Sequence, residues 1–281
     1  MIRTALLTCI DWSNMKKRGK IRYIFSFVSL AVLLAVLIFW NINAGSVSVS
    51  IGDVFRILFQ KEGDETARNI IWSIRLPRIL AALILGGALS VSGFLLQTFF
   101  NNPIAGPFVL GISSGAKLTV ALTMIFLLGK GLTAGSAVMI LAAFVGSLIS
   151  MGFVLLVSRK VRNMSMLVIC GVMIGYICSA VTDFVVTFAD DSNIVNLHNW
   201  SQGSFSGMNW NNVFLMAVVV FIALVLAFLL SKPMNAYQLG EAYARNMGVN
   251  ISRFRVELIL LSSVLSACVT AFAGPISFVG I

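Results

Sequence analysis

"RLPRILAALILGGALSVSGFLLQTFFNNPIAGPFVLGISSGAKL", residues 75–118, is two apolar runs joined by a short hinge. The first run, Ile79 to Phe100, is long enough to cross a hydrocarbon core of about 30 Å as a helix. The second begins at Val109. Between them, "NNPIAGP" from Asn101 to Pro107 holds two prolines and a glycine, which preclude a continuous helix. Lipid cannot satisfy backbone amides, so the broken segment has to be buried in protein or water near the membrane surface.

Working outward, the same test finds seven such windows: Tyr23 to Trp40, Ile79 to Phe100, Val109 to Leu128, Leu132 to Val157, Ser165 to Phe188, Val213 to Leu230 and Val256 to Ala273. The composition agrees, with 59% hydrophobic and 11% charged residues against the roughly 45–50% apolar of soluble domains. The alternation a β-barrel needs is absent. The sequence therefore predicts an all-α polytopic membrane protein with seven transmembrane helices.

The formal charge of +10 is a matter of orientation, not of nucleic-acid binding. With the N-terminus inside, the segments 1–22, 101–107, 158–164 and 231–255 carry thirteen Lys and Arg, against six in the external loops 41–78, 129–131 and 189–212. The positive-inside rule then makes the N-terminus cytoplasmic. This divides the chain into a cytoplasmic tail, 1–22, and one transmembrane domain, 23–281. The external loop 41–78 departs from the pattern, with Arg56, Lys61, Arg68, Arg75 and Arg78. Within it "VSVSIGDVFRILF" reads as an amphipathic surface helix followed by a polar turn. The first apolar run is long for a cleaved signal peptide and reads as a signal anchor. "MKKRGK" from Met15 resembles a natural start, which would make residues 1–14 an over-long reading frame. Cys9, Cys170, Cys178 and Cys268 are scattered, three of them within spans, as buried thiols without a disulfide framework or metal cluster.

Catalysis finds little support. "GISSGAKLT" from Gly111 imitates a phosphate loop, but Ala116 separates Gly115 from Lys117 and the stretch opens a hydrophobic span. Gly111 and Gly115, like Gly171 and Gly175, have the i, i+4 spacing of close helix packing. His198, the single histidine, shares a polar loop with Asp190 and Asp191 and reads as a solvated residue. Asp183 lies about a turn inside the fifth span, where a carboxylate faces a cavity, a partner or the interface. Lys117 and Glu257, near span starts, read as snorkelling side chains. An ion- or proton-coupled secondary transporter using Asp183 is the alternative to the reading reached below.

"KPMNAYQLGEAYARNMGVNISRFR" separates the last two spans. Leu239, Tyr243 and Met247 lie at i, i+4 and i+8, one apolar stripe on a short helix. Asn235 with Gln238 suggests the N-cap, Gly248 the C-terminal cap, and Ser252 the start of the next helix. The stripe can dock on its own bundle or in a partner's groove, with self-docking slightly favoured. Finally, "AGPISFVGI" at the C-terminus resembles "AGPFVLGI" at Ala105 to Ile112. In this topology the two lie on opposite sides, as inverted transporter repeats do.

Taken together, the segment from Arg75, "LGEAYARNMGVN" and "AGPISFVGI" closely resemble three motif regions of the permease subunits of ABC importers for ferric siderophores, haem and cobalamin, type II importers. The resemblance runs in order along nearly the whole chain. It implies a ten-span, inverted-repeat permease, two permeases side by side with the pathway between them, two cytoplasmic ATPases below, and an extracytoplasmic substrate-binding protein above. ATP and Mg belong to the ATPase, so this chain carries no cofactor and hydrolyses nothing. By the same resemblance Gly240, Glu241, Ala244, Arg245 and Gly248 form the ATPase-coupling helix. Arg75 and Arg78 meet acidic residues of the binding protein. Gly171, Gly175, Ser179, Thr182, Asp183 and the loop near Trp200 to Phe205 line the path. The implied cargo is an iron chelate, a siderophore, carried across a bacterial inner membrane. Family members continue after "FVG" with a proline-histidine motif and three more spans, so the resemblance makes a chain ending at Ile281 C-terminally incomplete.

Overall fold

A computed structural model describes residues 2–43, 52, 54, 56–57, 64–102, 106–128, 136–160 and 164–276. Among these the chain is helical: α1 Ile2–Asn43, α2 Glu65–Asn69, a π-helical stretch Ile70–Arg75, α3 Leu76–Phe100, a 3-10 turn Pro107–Leu110, α4 Ile112–Leu128, α5 Ser136–Lys160, α6 Met164–Val186, α7 Asp191–Ser201, α8 Trp210–Leu229, α9 Ser231–Gln238, α10 Glu241–Asn246 and α11 Ile251–Ala273. Six stretches are long and apolar enough to cross a membrane, and α4 supplies a shorter apolar helix over Ile112–Phe126. Each coincides with one of the seven windows.

The chain forms two compact units, Met1–Ile79 and Leu80–Ile281. In the first, α1 runs unbroken from Ile2, so the stretch expected to be a separate tail is helical. Its apolar residues from Ile21 to Phe39 are exposed all round, which suits lipid or another helix. Of the polar turn expected before "RLPR", residues 60–63 lie outside the described residues, and Glu65 to Arg75 is helical. Asp64 caps α2, its carboxylate accepting from the Ala67 N–H at 3.2 Å, and the helix continues through the π stretch into α3. The cause is Pro77, which has no N–H to give. The chain widens just before it, the Leu76 N–H bonding the Ile71 carbonyl five residues back. Of the expected surface helix at 47–59, only Gly52, Val54, Arg56 and Ile57 are described, and they are helical.

In the second unit α11 is central, 72% of its membrane window being buried. Small residues allow that: Ser262, Ser263, Ser266, Ala267, Cys268, Thr270 and Ala271 are all buried, so neighbouring backbones come close. Ser92 of α3 and Ser262 exchange hydrogen bonds reciprocally, each hydroxyl donating to the other's carbonyl at 2.8 and 3.1 Å. Gly115 of α4 and Gly146 of α5 face each other with no room for a Cβ on either. Gly111 (φ 70°) abuts α6, where an added Cβ would fall 2.9 Å from the Gly171 carbonyl oxygen and the Gly175 nitrogen. The glycine spacings thus serve packing. The outer helix α8 buries one narrow stripe, Val213, Met216, Val220, Ala223 and Ala227.

The hinge after α3 breaks as required. Asn101 takes a φ of 48°, and the Asn102 N–H bonds the Gln97 carbonyl at 3.1 Å, closing the helix end. Residues 103–105 lie outside the described residues, as do 277–281 of the second repeat copy. The polar loop 189–212 contains a helix, α7, seated through Asn193 and Leu197.

Candidate functional site

The connection between α8 and α11 is two short helices meeting at a glycine. Asn235, expected to cap, lies inside α9, and the start of α11 is capped by Asn250, whose side chain accepts from the Arg253 N–H at 3.1 Å. Gly240 adopts φ 119°, ψ 145°, a conformation side chains resist, and turns the chain into α10. The expected stripe is therefore split: Leu239 precedes the break, Tyr243 is on α10 and Met247 follows it. Gly248 (φ 85°) does cap the far end, the Val249 N–H bonding the Ala244 carbonyl at 3.0 Å.

Exposure decides between the two docking alternatives. Leu239, Tyr243 and Met247 are 71, 47 and 64% exposed, whereas Ala244 is 0% exposed. The stripe does not dock on its own bundle; α10 turns Ala244 inward, while Tyr243 and the flanking Leu239 and Met247 face outward. At the helix start, Glu241 is held by two arginines, Oε1 by Arg245 at 3.1 Å and Oε2 by Arg255 of α11 at 3.0 Å. Behind them Tyr237 of α9 packs on Phe254 with ring centroids 5.5 Å apart, and its hydroxyl donates to the Phe99 carbonyl at 3.4 Å. Burial pushes the Tyr237 phenol above its ordinary 10.0; the Arg255 guanidinium opposes this and the Glu241 carboxylate adds to it. Arg255 and Tyr237 thus support the segment from Gly240 to Gly248 from behind. Arg255 stands fourteen residues from Glu241 and no local spacing links them; the one available signal is that it opens a span with Phe254 beside it.

The arginines of "RLPR" differ from each other. Arg75 is 7% exposed and its guanidinium donates to the Ile42 and Asn43 carbonyls at the C-terminus of α1. Free carbonyls at a helix end attract a cation, so Arg75 braces α1 inside its unit. Arg78 is half-buried, with an Nε that has no hydrogen-bond partner among the described residues.

The path residues on α6 also divide. Gly171, Gly175 and Thr182 are buried on the inner face, the glycines against Gly111 and Thr182 donating to the Cys178 carbonyl at 2.7 Å. These three pack the bundle and do not line an open surface of this chain. Ser179, half-buried, and Asp183, exposed, lie with Tyr176 on the outward stripe. Trp200 and Gly203, at the end of α7, meet the end of α11, where the Ser204 N–H bonds the Ala273 carbonyl at 2.7 Å. His198 is exposed and its ring nitrogen meets the Gln202 side chain at 3.1 Å. Among the described residues no three His, Cys, Asp or Glu side chains converge as metal ligands.

Known proteins are similar to this chain in sequence and fold. The profile of the FecCD transport family matches residues 33–281. The hemin transport system permease protein HmuU of Yersinia pestis is 32% identical over 253 residues, covering 90% of this chain and 75% of its own. The vitamin B12 import system permease protein BtuC of Salmonella paratyphi A is 34% identical over 274 residues, 97% of this chain and 79% of its own. A solved metal-chelate type ABC transporter, in an inward-facing conformation, superposes with a TM-score of 0.77 at 27% identity, over 90% of this chain and 77% of that one. With seven apolar helices in the right order and these matches along nearly its whole length, the chain belongs to the FecCD transport family: it is a membrane-spanning permease subunit of an ABC importer, not an enzyme, and works with a separate ATPase subunit and a substrate-binding protein.

Proposed function

We propose that this chain carries a metal chelate, a ferric siderophore, across a bacterial inner membrane from its binding protein to the cytoplasm, pairing with a second permease above two ATPase subunits. The N-terminus, α9 and α10 are cytoplasmic in this reading, consistent with the thirteen Lys and Arg on that side. ATP and Mg²⁺ sit on the ATPase. The observation that carries the reading is the outward stripe of Leu239, Tyr243 and Met247 over a fully buried Ala244. Exposed apolar side chains on a polar cytoplasmic turn fit a helix-in-groove contact with a soluble protein. Gly240, Glu241, Ala244, Arg245 and Gly248 shape that helix. Arg78 is the better candidate of the two "RLPR" arginines for meeting an acidic binding protein, and Ser179 with Asp183 for the pathway wall. A metal chelate as cargo is supported by the haem, vitamin B12 and metal-chelate systems that this chain is similar to.

The test is uptake and assembly in one preparation. Leu239→Asp with Met247→Asp should lower ATPase copurification at least about tenfold while membrane insertion is unchanged. Ferrichrome, hemin and cyanocobalamin offered in parallel identify the cargo class. Accumulation of hemin or cyanocobalamin with no ferrichrome uptake would sink the siderophore reading.

A further inference from the structure

Helix α10 has six residues and a glycine at a left-handed φ on each side, Gly240 at 119° and Gly248 at 85°. A Cβ added at either would meet no atom within 4 Å. Backbone conformation, not a neighbouring atom, therefore calls for glycine at both places, and these two residues set where α10 begins and ends. Among the described residues, the buried Ala244 and the Glu241 ion pair with Arg255 join this helix to the bundle.

Three ion pairs occur among the described residues. Arg245–Glu241 and Arg253–Glu257 are i, i+4 pairs within one helix, with arginine side chains 70 and 79% exposed. Arg255–Glu241 alone joins two elements, and the Arg255 side chain is 19% exposed. Its Nε is buried without a hydrogen-bond partner, so the guanidinium keeps its place at a desolvation cost; across to other helices it bonds Glu241 of α10 and the Tyr237 side chain of α9. Next to it in sequence, Phe254 holds Tyr237 of α9, and Tyr237 reaches the end of α3. The pair therefore stands where α9, α10 and the first turns of the central helix α11 meet.

We propose that Arg255 is a positioning residue for energy coupling: through Glu241 it ties α10 to the start of α11, so that a push on α10 turns the central helix of the bundle. This rests on α10 being the ATPase contact, as proposed above. A half-solvated pair contributes no more than about 1 kcal/mol to stability, so its loss leaves the fold standing and acts on transmission. Arg78 and the α6 residues play no part in it.

The experiment uses the complete transporter, with full-length permease, ATPase and binding protein in proteoliposomes, and whichever of ferrichrome, hemin or cyanocobalamin the wild type accumulates. Arg255→Gln is expected to bind the ATPase with wild-type affinity and to move about tenfold less substrate per ATP hydrolysed, the scale of a coupling free energy. Arg255→Lys, which keeps the charge, should recover part of the loss. Glu241→Arg with Arg255→Glu, which reverses the pair, should transport better than Glu241→Arg alone. Wild-type transport per ATP in Arg255→Gln overturns the proposal, as does a charge reversal that recovers nothing. Loss of ATPase affinity in Arg255→Gln makes Arg255 part of the docking surface, which overturns transmission and leaves the docking reading intact. Wild-type ATPase affinity in the Leu239→Asp, Met247→Asp variant overturns the docking reading itself.

Discussion

Gly111 lies so close to Gly175 that a Cβ on Gly111 would fall 2.9 Å from the Gly175 nitrogen, whereas a Cβ on Gly175 would meet the Gly111 Cα at an ordinary 3.6 Å. The contact is asymmetric because α6 presents its backbone to Gly111, and Gly111 also holds a φ of 70°.

Gly111→Ala must therefore strain the turn and push α4 from α6, at a cost of about 1–3 kcal/mol. Gly175→Ala adds a methyl group into tolerable space and should cost little. Thermal unfolding in detergent compares them; equal midpoints for the two variants would show that this crossing is not close-packed.

Arg75 and Arg78 should separate cleanly. Arg75→Ala strips the donor from the α1 carbonyls of Ile42 and Asn43 and should lower stability by about 1–3 kcal/mol, the cost of an unmade buried bond. Arg78→Ala should leave unfolding unchanged and weaken binding-protein association in a salt-dependent way. Association affinity measured at low and high salt decides the second point, and a salt-independent, unaltered affinity removes Arg78 from the docking surface.

In the core of the second unit, Ser92 and Ser263 carry opposite expectations. Ser92→Ala removes one of the two reciprocal bonds, from its hydroxyl to the Ser262 carbonyl, while the Ser262 hydroxyl keeps the main-chain carbonyl of residue 92, a loss of about 0.6–2 kcal/mol. Ser263 has a buried hydroxyl with no partner among the described residues, so Ser263→Ala should be neutral or stabilising. A lower unfolding midpoint for Ser263→Ala would mean that its hydroxyl is bonded after all.

The Tyr237 phenol gives a pH dependence outside the membrane. Its folded pKa is raised above 10.0, chiefly by burial, so the neutral form is favoured in the folded chain. The stability it contributes is whole below the ordinary tyrosine value and is lost as pH rises through the folded value. Tyr237→Phe cannot ionise. The wild type should therefore lose more of its unfolding midpoint between pH 9 and pH 11 than the variant, taking about 10 as the ordinary value; parallel losses would place the phenol in water.

The membrane fold was legible because a helix crossing lipid needs a long apolar run whatever its neighbours are; six of the seven windows met that demand and the seventh is the shorter apolar helix α4. What escaped reading depended on contacts between distant residues or on single backbone angles. Glu65, Arg68 and Arg75 look like loop charges, yet Asp64 caps them into a helix and α1 gives Arg75 its acceptors. The stripe from Leu239 to Met247 has helical spacing, but Gly240 breaks it with one positive φ. Glu241 was visible as a coupling candidate, whereas its partner Arg255 belongs to another helix and is found only in three dimensions.

Asp183 separates the ATP-driven importer from the secondary-transport alternative. A carboxylate that relays a proton or an ion needs a partner that changes during transport. Here Asp183 is exposed on α6, and the bond described at that residue is to its backbone carbonyl, from the Thr187 hydroxyl at 3.0 Å. The FecCD family match and the similarity to a solved ABC transporter favour ATP as the driving force. Asp183→Asn should then keep uptake within about twofold of the wild type, since it removes charge without changing size and a surface substitution costs little. Uptake by both proteins should stop when cells are depleted of ATP and persist when an ionophore collapses the gradient with ATP held constant. A transporter that fails under the ionophore, and fails equally on Asp183→Asn, would return Asp183 to the centre of the mechanism.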